Sequence, residues 1–395
     1  MFSFLFYGNH TAADAFPLYF CLRIFFCIMI SSSRKLIGYW LLLGVFMIMI
    51  QVLLGGITRL TGSGLSITEW NVIMGSIPPM NAGEWQQAFS QYQQFPQYKL
   101  MNSEMTLEGF KSIFWWEFLH RLWARLMGFA FVIPFVYFLL KRMIDWKLGK
   151  QLLVIFVLGG LQGLLGWIMV QSGLIDKPWV NPINLSAHLI LALLLYCYLL
   201  WVALELLQPV REEGNILSLR TFSTTLLLLV FIQIFYGGLM AGNKAALFYP
   251  TFPKIGAGYL PHGIFTLRPW TLNLIENIGM IQVVHRSLGF IVAICIFYFY
   301  WKSRKHPATP YFKNLLISLP LLVTLQVILG IVTLLNSLGK IPITYGVLHQ
   351  FVALLLLTAM ILVHFQLRKK VIAPFSESFK TGKRNLPLII TPIHK

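Results

Sequence analysis

One short stretch gathers the side chains most able to do chemistry: Glu117-Phe118-Leu119-His120-Arg121, continuing to Arg125. It lies in an apolar run that begins near Ile113. Ionisable groups at membrane depth are costly and rare, and they mark functional sites. On a helix, Glu117 and His120 are i,i+3 neighbours on one face, and Glu117 and Arg121 are i,i+4. An imidazole can ligate iron. A carboxylate at low dielectric can take or give protons. A guanidinium pairs bidentately with carboxylates.

The stretch has a counterpart. His285-Arg286 repeats His120-Arg121, and Gln51 through Gly55-Gly56 resembles Gln233 through Gly237-Gly238. Leu161-Gln162 through Gly166 resembles Leu325-Gln326 through Gly330, and Pro182-Ile183 with His188 resembles Pro342-Ile343 with His349. The order is the same, so the chain reads as two four-helix units. An even number of spans per unit makes the repeats parallel, about an axis along the membrane normal. Each unit contributes one His from its second span and one from its fourth: His120 with His188, and His285 with His349. All four fall a few residues into their spans, roughly 5–10 Å below one boundary at 1.5 Å per residue. Two pairs at one depth suit two bis-imidazole haem sites in a bundle core. The competing reading is four buried histidines hydrogen-bonded to neighbouring helices. A bare metal is disfavoured, because two imidazoles without clustered carboxylates or thiolates make a poor zinc or copper shell. Arg59, Arg121, Arg125 and Arg286 lie near the same boundary, suited to haem propionates or to snorkelling toward headgroups. His10 and His394 are terminal, His306 and His262 lie in loops, and His364 is near the opposite boundary.

Around these histidines the halves differ at two positions. Three residues before His120 is Glu117, and three before His285 is Gln282. Arg125 is matched by Phe290. The first half keeps an acid and an extra cation that the second lacks. This predicts chemistry in the first half and electron storage or relay in the second, the alternative being drift between duplicated copies.

These residues must be positioned by a membrane scaffold. The 395 residues are 57% hydrophobic and 11% charged, with mean hydropathy +0.72, which excludes a soluble domain. The expected fold is all-α and polytopic, with eight transmembrane helices in two parallel-repeat four-helix bundles. Spans are expected near 36–56, 113–140, 152–170, 185–207, 221–240, 279–301, 314–335 and 343–367. The units are then 34–207 and 221–370, with a linker at 208–220, a basic tail at 371–395 and an N-terminal extension at 1–33. The net charge of +18 does not mean nucleic acid, since the Lys and Arg cluster between spans. Lys141, Arg142, Lys147 and Lys150, with Lys302, Arg304, Lys305 and Lys313, place those connectors and both termini in the cytoplasm. The two long loops are then external. In the first, Ser66-x-x-Glu69 forms a capping box that predicts a short helix. Phe16 to Ile30 is apolar but broken by Arg23, which suits an interfacial segment or a later start such as Met29. The four cysteines lie in apolar runs without a CxxC, so neither a disulfide nor a thiolate metal site is expected.

Several stretches together resemble haem A synthase: Gly55 to Trp70, Gln93-Gln94-Phe95-Pro96-Gln97-Tyr98-Lys99-Leu100, and Phe110-Lys111 through Glu117-x-x-His120-Arg121-x-x-x-Arg125. The likeness covers about residues 35–370 and is strongest to the branch shared by proteobacteria and mitochondria, which lacks a loop cysteine pair. Position 124 is Ala where many relatives have Gly. The resemblance implies oxidation of the C8 methyl of haem O to a formyl group, by two successive hydroxylations and a dehydration, giving haem A. It implies haem b as cofactor on His285 and His349, substrate haem O on His120 and His188, and a catalytic Glu117. It also implies a bacterial inner membrane, with a haem O synthase, cytochrome oxidase assembly, an unidentified electron-transfer partner, membrane lipid and a homo-oligomer as partners. The alternative is a di-haem membrane cytochrome b acting only in electron transfer. That reading accounts for the four His and leaves the lone Glu117 without a purpose.

Overall fold

The computed structural model describes residues 15–68, 77–174, 178–208, 217–306 and 309–368. Among them the chain is helical, with no strand beyond one isolated bridge between Ile255 and Gly258. Eight helices are long and apolar enough to cross a membrane, so this is a multi-pass membrane protein. They are α1 (Ala15–Leu60), α4 (Leu107–Leu140), α5 (Trp146–Gln171), α6 (Pro182–Leu207), α7 (Leu217–Gly242), α8 (Ile278–Ser303), α9 (Pro310–Leu335) and α10 (Ile343–Gln366). Two short helices, α2 (Ala82–Tyr92) and α3 (Pro96–Met101), lie in the first long loop. At 1.5 Å per residue a 26-residue helix is about 39 Å long, which exceeds the hydrocarbon core.

The helices start earlier than the apolar runs because their caps are polar. Thr106 Oγ1 accepts from Gly109 N, Asp145 Oδ1 from Leu148 N, Asn277 Oδ1 from Met280 N and Thr309 Oγ1 from Phe312 N. Asn181 caps α6, followed by Pro182 at the first helical position. α1 extends back to Ala15, since no proline or glycine interrupts residues 18–37.

The contacts of the first four spans recur in the last four. α1 packs on α4 and α6, as α7 packs on α8 and α10; α5 packs on α6, as α9 packs on α10. The two sets meet where α1, α6, α7 and α10 come together. Lipid tails are as apolar as leucine, so these helices are held by close packing and polar contacts. Tyr196 Oη and Thr358 Oγ1 are 2.7 Å apart, and Gln350 Nε2 donates to the Val52 carbonyl at 2.6 Å. The α6–α7 crossing is tight: a methyl on Gly238 would lie 2.6 Å from Ser186 Oγ and 2.9 Å from Ser186 Cα. In the first long loop, Phe89 and Tyr92 of α2 pack on Phe110, Phe114 and Phe118 of α4, fixing that loop over the end of the bundle.

Gly238→Ala should therefore destabilise the purified protein by about 1–3 kcal/mol, the usual cost of overpacking. A lowered midpoint in denaturant unfolding is the expected result, and an unchanged midpoint would contradict the crossing.

Candidate functional site

Each of the four imidazoles is built the same way. The helix before it carries Gln-x-x-x-Gly, and that glycine faces the ring. A methyl on Gly55 would lie 3.2 Å from His120 Nε2. Methyls on Gly166, Gly237 and Gly330 would lie 3.0, 3.4 and 3.0 Å from Cε1 of His188, His285 and His349. At the three closer places a Cβ fits only if the ring gives way, and at Gly237 it would be in ordinary contact.

The glutamine of the same motif steadies the ring. Gln162 Nε2 sits 3.3 Å from His188 Nε2 and donates to the His188 carbonyl at 3.0 Å. Gln233 Nε2 sits 3.3 Å from His285 Nδ1 and donates to the His285 carbonyl at 3.1 Å. Gln326 Nε2 sits 3.2 Å from His349 Nε2, whose Nδ1 is 3.1 Å from the Gln326 carbonyl. The Oε1 atoms of Gln51, Gln162, Gln233 and Gln326 are all buried without a hydrogen-bond partner. An unmet buried acceptor costs about 1–3 kcal/mol, so the same omission at four matched places points to a ligand cavity.

Such a cavity is present, with a volume of about 910 Å³, at the upper end of the usual ligand range. All four histidines line it, with Glu117, Arg59, Arg121 and Arg286. Both members of each pair, His120 with His188 and His285 with His349, face this one cavity. Arg125 is not among the lining residues; it lies one turn beyond Arg121 on α4. The lining positions on α4 include Glu117, His120, Ala124, Gly128 and Phe131. They follow the three-and-four spacing of one helix face, and Arg125 falls on its flank. Lys244, which the sequence reading misses, does line the cavity. It packs over the Trp179 ring at 5.6 Å. Burial, and then the charge of Arg59, holds its ammonium below the usual lysine range. Its place after the Gly237-Gly238 repeat was the only sequence signal. Arg59 donates to the Ala241 carbonyl, tying the end of α1 to α7.

Glu117 is 2% exposed and wholly engaged. Its Oε2 accepts from the N–H groups of Ser66 (2.7 Å) and Ile67 (2.9 Å) and from the Ser66 hydroxyl (2.8 Å). Its Oε1 accepts from Arg121 Nη2 at 2.6 Å, and the same nitrogen donates to the Ile67 carbonyl at 3.0 Å. Ser66 thus turns to Glu117; of the helix expected to start at the Ser66-x-x-Glu69 box, Ile67 and Thr68 are not helical and residues 69–76 lie outside the described residues. Gln282 does the matching job with the opposite polarity. Its Nε2 donates to the Ala245 carbonyl at 2.7 Å, and its Oε1 accepts from Arg286. Arg286 then holds the second long loop through the carbonyls of Thr251 (2.9 Å), Lys254 (3.2 Å) and Tyr249 (3.1 Å). A carboxylate can only accept, so it gathers loop N–H groups; an amide also donates, so it reaches a loop carbonyl.

The other histidines stand apart. His364 Nδ1 bonds Ser223 Oγ at 2.7 Å near the far end of α10, His262 is exposed and His306 follows α8, and His10 and His394 lie outside the described residues. Among the described residues, no three His, Cys, Asp or Glu side chains converge as a metal shell.

The COX15-CtaA family, described as cytochrome oxidase assembly protein, matches residues 38–361. A protein of Nitrosospira multiformis named heme A synthase is 43% identical over 342 residues, covering 86% of this chain and 95% of its own. The heme A synthase of Flavobacterium johnsoniae is 39% identical over 334 residues, covering 84% and 97%. Heme A synthase COX15 of Arabidopsis thaliana is 39% identical over 350 residues, covering 86% and 76%. With that likeness running across the whole span of the four His–Gly pairs, the chain belongs to the haem A synthase family.

Proposed function

We propose that this protein makes haem A by oxidising the C8 methyl of haem O to a formyl group. His120 and His188 hold the substrate, and His285 and His349 hold haem b. The observation that carries this reading is the fourfold glycine–imidazole arrangement around one cavity. The donor set fits a haem: two imidazoles per site, an apolar lining, glycines that leave room beside each ring, and cations near the same end. When bound, haem b supplies one-electron transfer next to the substrate. With water as the oxygen donor, taking the methyl to a formyl group releases four electrons and four protons, so the substrate needs such an acceptor and, beyond it, an electron-transfer partner.

The chain's own residues orient the substrate and handle protons. Arg121, Arg286, Arg59 and the neighbouring Lys244 supply positive charge for propionates, which fixes the ring in its plane. Glu117 is the one carboxylate among the lining residues. It fixes Ser66, Ile67 and Arg121, and it is the group placed to take up protons as the methyl is oxidised. The Ser66 hydroxyl can turn from donor to acceptor, so the carboxyl can gain a proton at Oε2 and keep that contact. Gln282 at the matched position cannot do this. We place the protein in a bacterial inner membrane with cytoplasmic termini, following the Lys and Arg of the α4–α5 and α8–α9 connectors. Haem O synthase would supply its substrate, and cytochrome oxidase assembly would use its product.

His349→Ala should strip the low-spin haem b from the purified protein, while His120→Ala keeps it, as read by absorbance and pyridine haemochrome. Equal haem content in the two variants would overturn the assignment of halves. Glu117→Gln should keep haem b and cause haem O to accumulate, with haem A reduced at least tenfold in extracted pigment. Undiminished haem A from that variant would remove Glu117 from the proton chemistry.

A further inference from the structure

The first four spans do not close as the last four do. α8 packs against α9, whereas α4 and α5 make no comparable contact. Gly128 on α4 and Gly159, Gly160 and Gly163 on α5 flank this seam. A methyl added at any of them meets no atom within 4 Å, and all four line the cavity that holds His120 and His188. The matched positions in the second half are Ala293, Val323, Thr324 and Val327, and Val323 is buried. The second half thus carries side chains at the four positions where the first half has only glycine. In the same cavity, Gln162 Oε1 and His188 Nδ1 are buried without a hydrogen-bond partner, which marks this end of α5 and α6 as facing a ligand.

We infer that the α4–α5 seam holds the long isoprenoid side chain of the substrate tetrapyrrole and is its way in from the bilayer. The inference rests on the assignment of His120 and His188 to the substrate. A tetrapyrrole held between two imidazoles presents its edges to the seams between helices. A chain of many carbons on one edge must leave through a seam that is apolar and unfilled. The α4–α5 seam meets both conditions, with Met127, Phe131 and Phe156 as further walls of the cavity. The α8–α9 seam does not, which suits a haem without such a chain. The spacing Gly159-x-x-x-Gly163 is also that of paired transmembrane helices, so a second copy of this chain is the rival occupant. These glycines line the cavity itself, which favours the substrate.

The test uses the full-length protein purified with its haem b, as wild type and as Gly160→Val, Gly163→Val and the double variant. Haem O and chain-free haem b are each titrated into the first site by absorbance, and oligomeric state is measured in parallel. Retention of the haem on His285 and His349 reports folding. The expected result is haem O binding weakened at least tenfold by the double variant, with chain-free haem within twofold of wild type. Gly163→Ala, which adds one methyl to open space, should move haem O binding in the same direction by about twofold and covers the case in which the valines misfold. Unchanged haem O affinity, with or without loss of a dimer, overturns the inference, and so does an equal loss of both tetrapyrroles. Wild-type protein that binds neither tetrapyrrole through His120 and His188 removes the substrate assignment itself, a separate and recognisable failure.

Discussion

The site depends on one close approach: the backbone of a helix set against the imidazole of the next. At Gly55, Gly166 and Gly330 a Cβ would press on a histidine ring, and at Gly237 it would touch one. Without that approach each ring would swing away from the cavity or force the helices apart. Small residues are the usual means by which membrane helices come near each other, and here they serve ring placement as well as association. The glutamine one turn earlier holds the imidazole or its carbonyl in three of the four pairs. A bilayer offers no water to complete these contacts, so the motif itself must do so.

The same scaffold has then been used in two ways. Where the second unit has Gln282, the first has Glu117; where the second has Val323 and Val327, the first has Gly159 and Gly163. Glu117 and Gln282 both fasten a long loop over the site, through partners of opposite polarity. On the proposed function, the buried carboxylate that holds backbone N–H groups and a guanidinium is the acid of the first site. The open seam beside it is the access to the membrane that we infer for that site. Neither feature would help a site that only stores an electron.

Much of this was legible in the sequence. Span number and order follow from hydropathy, which is the property the bilayer selects. The matched depth of His120, His188, His285 and His349 follows from counting along those spans. Helix starts were less legible, because capping residues such as Asp145 and Asn181 lie outside the apolar runs. The Gln-x-x-x-Gly motif was visible as a landmark of the repeat, but its meaning needs to be read from which helix faces which. Arg125 looked equivalent to Arg121 on spacing alone; Arg121 lines the cavity and bonds Glu117, and Arg125 is not among the lining residues. Ser66 read as a cap and serves Glu117, a contact 51 positions away that no local pattern encodes. The open seam could be read only after packing was known, since glycine in a membrane helix signals close contact as often as space.

The central claim is that the acid-bearing half acts on a haem rather than relaying electrons through it. Pigment extraction from cells with and without this protein, in a background that makes haem O, tests it most directly. The account predicts haem A only where the protein is present, with haem O falling in proportion. Unchanged haem O and no haem A, from cells in which the protein is present and loaded with haem b, would contradict it and leave a di-haem electron carrier.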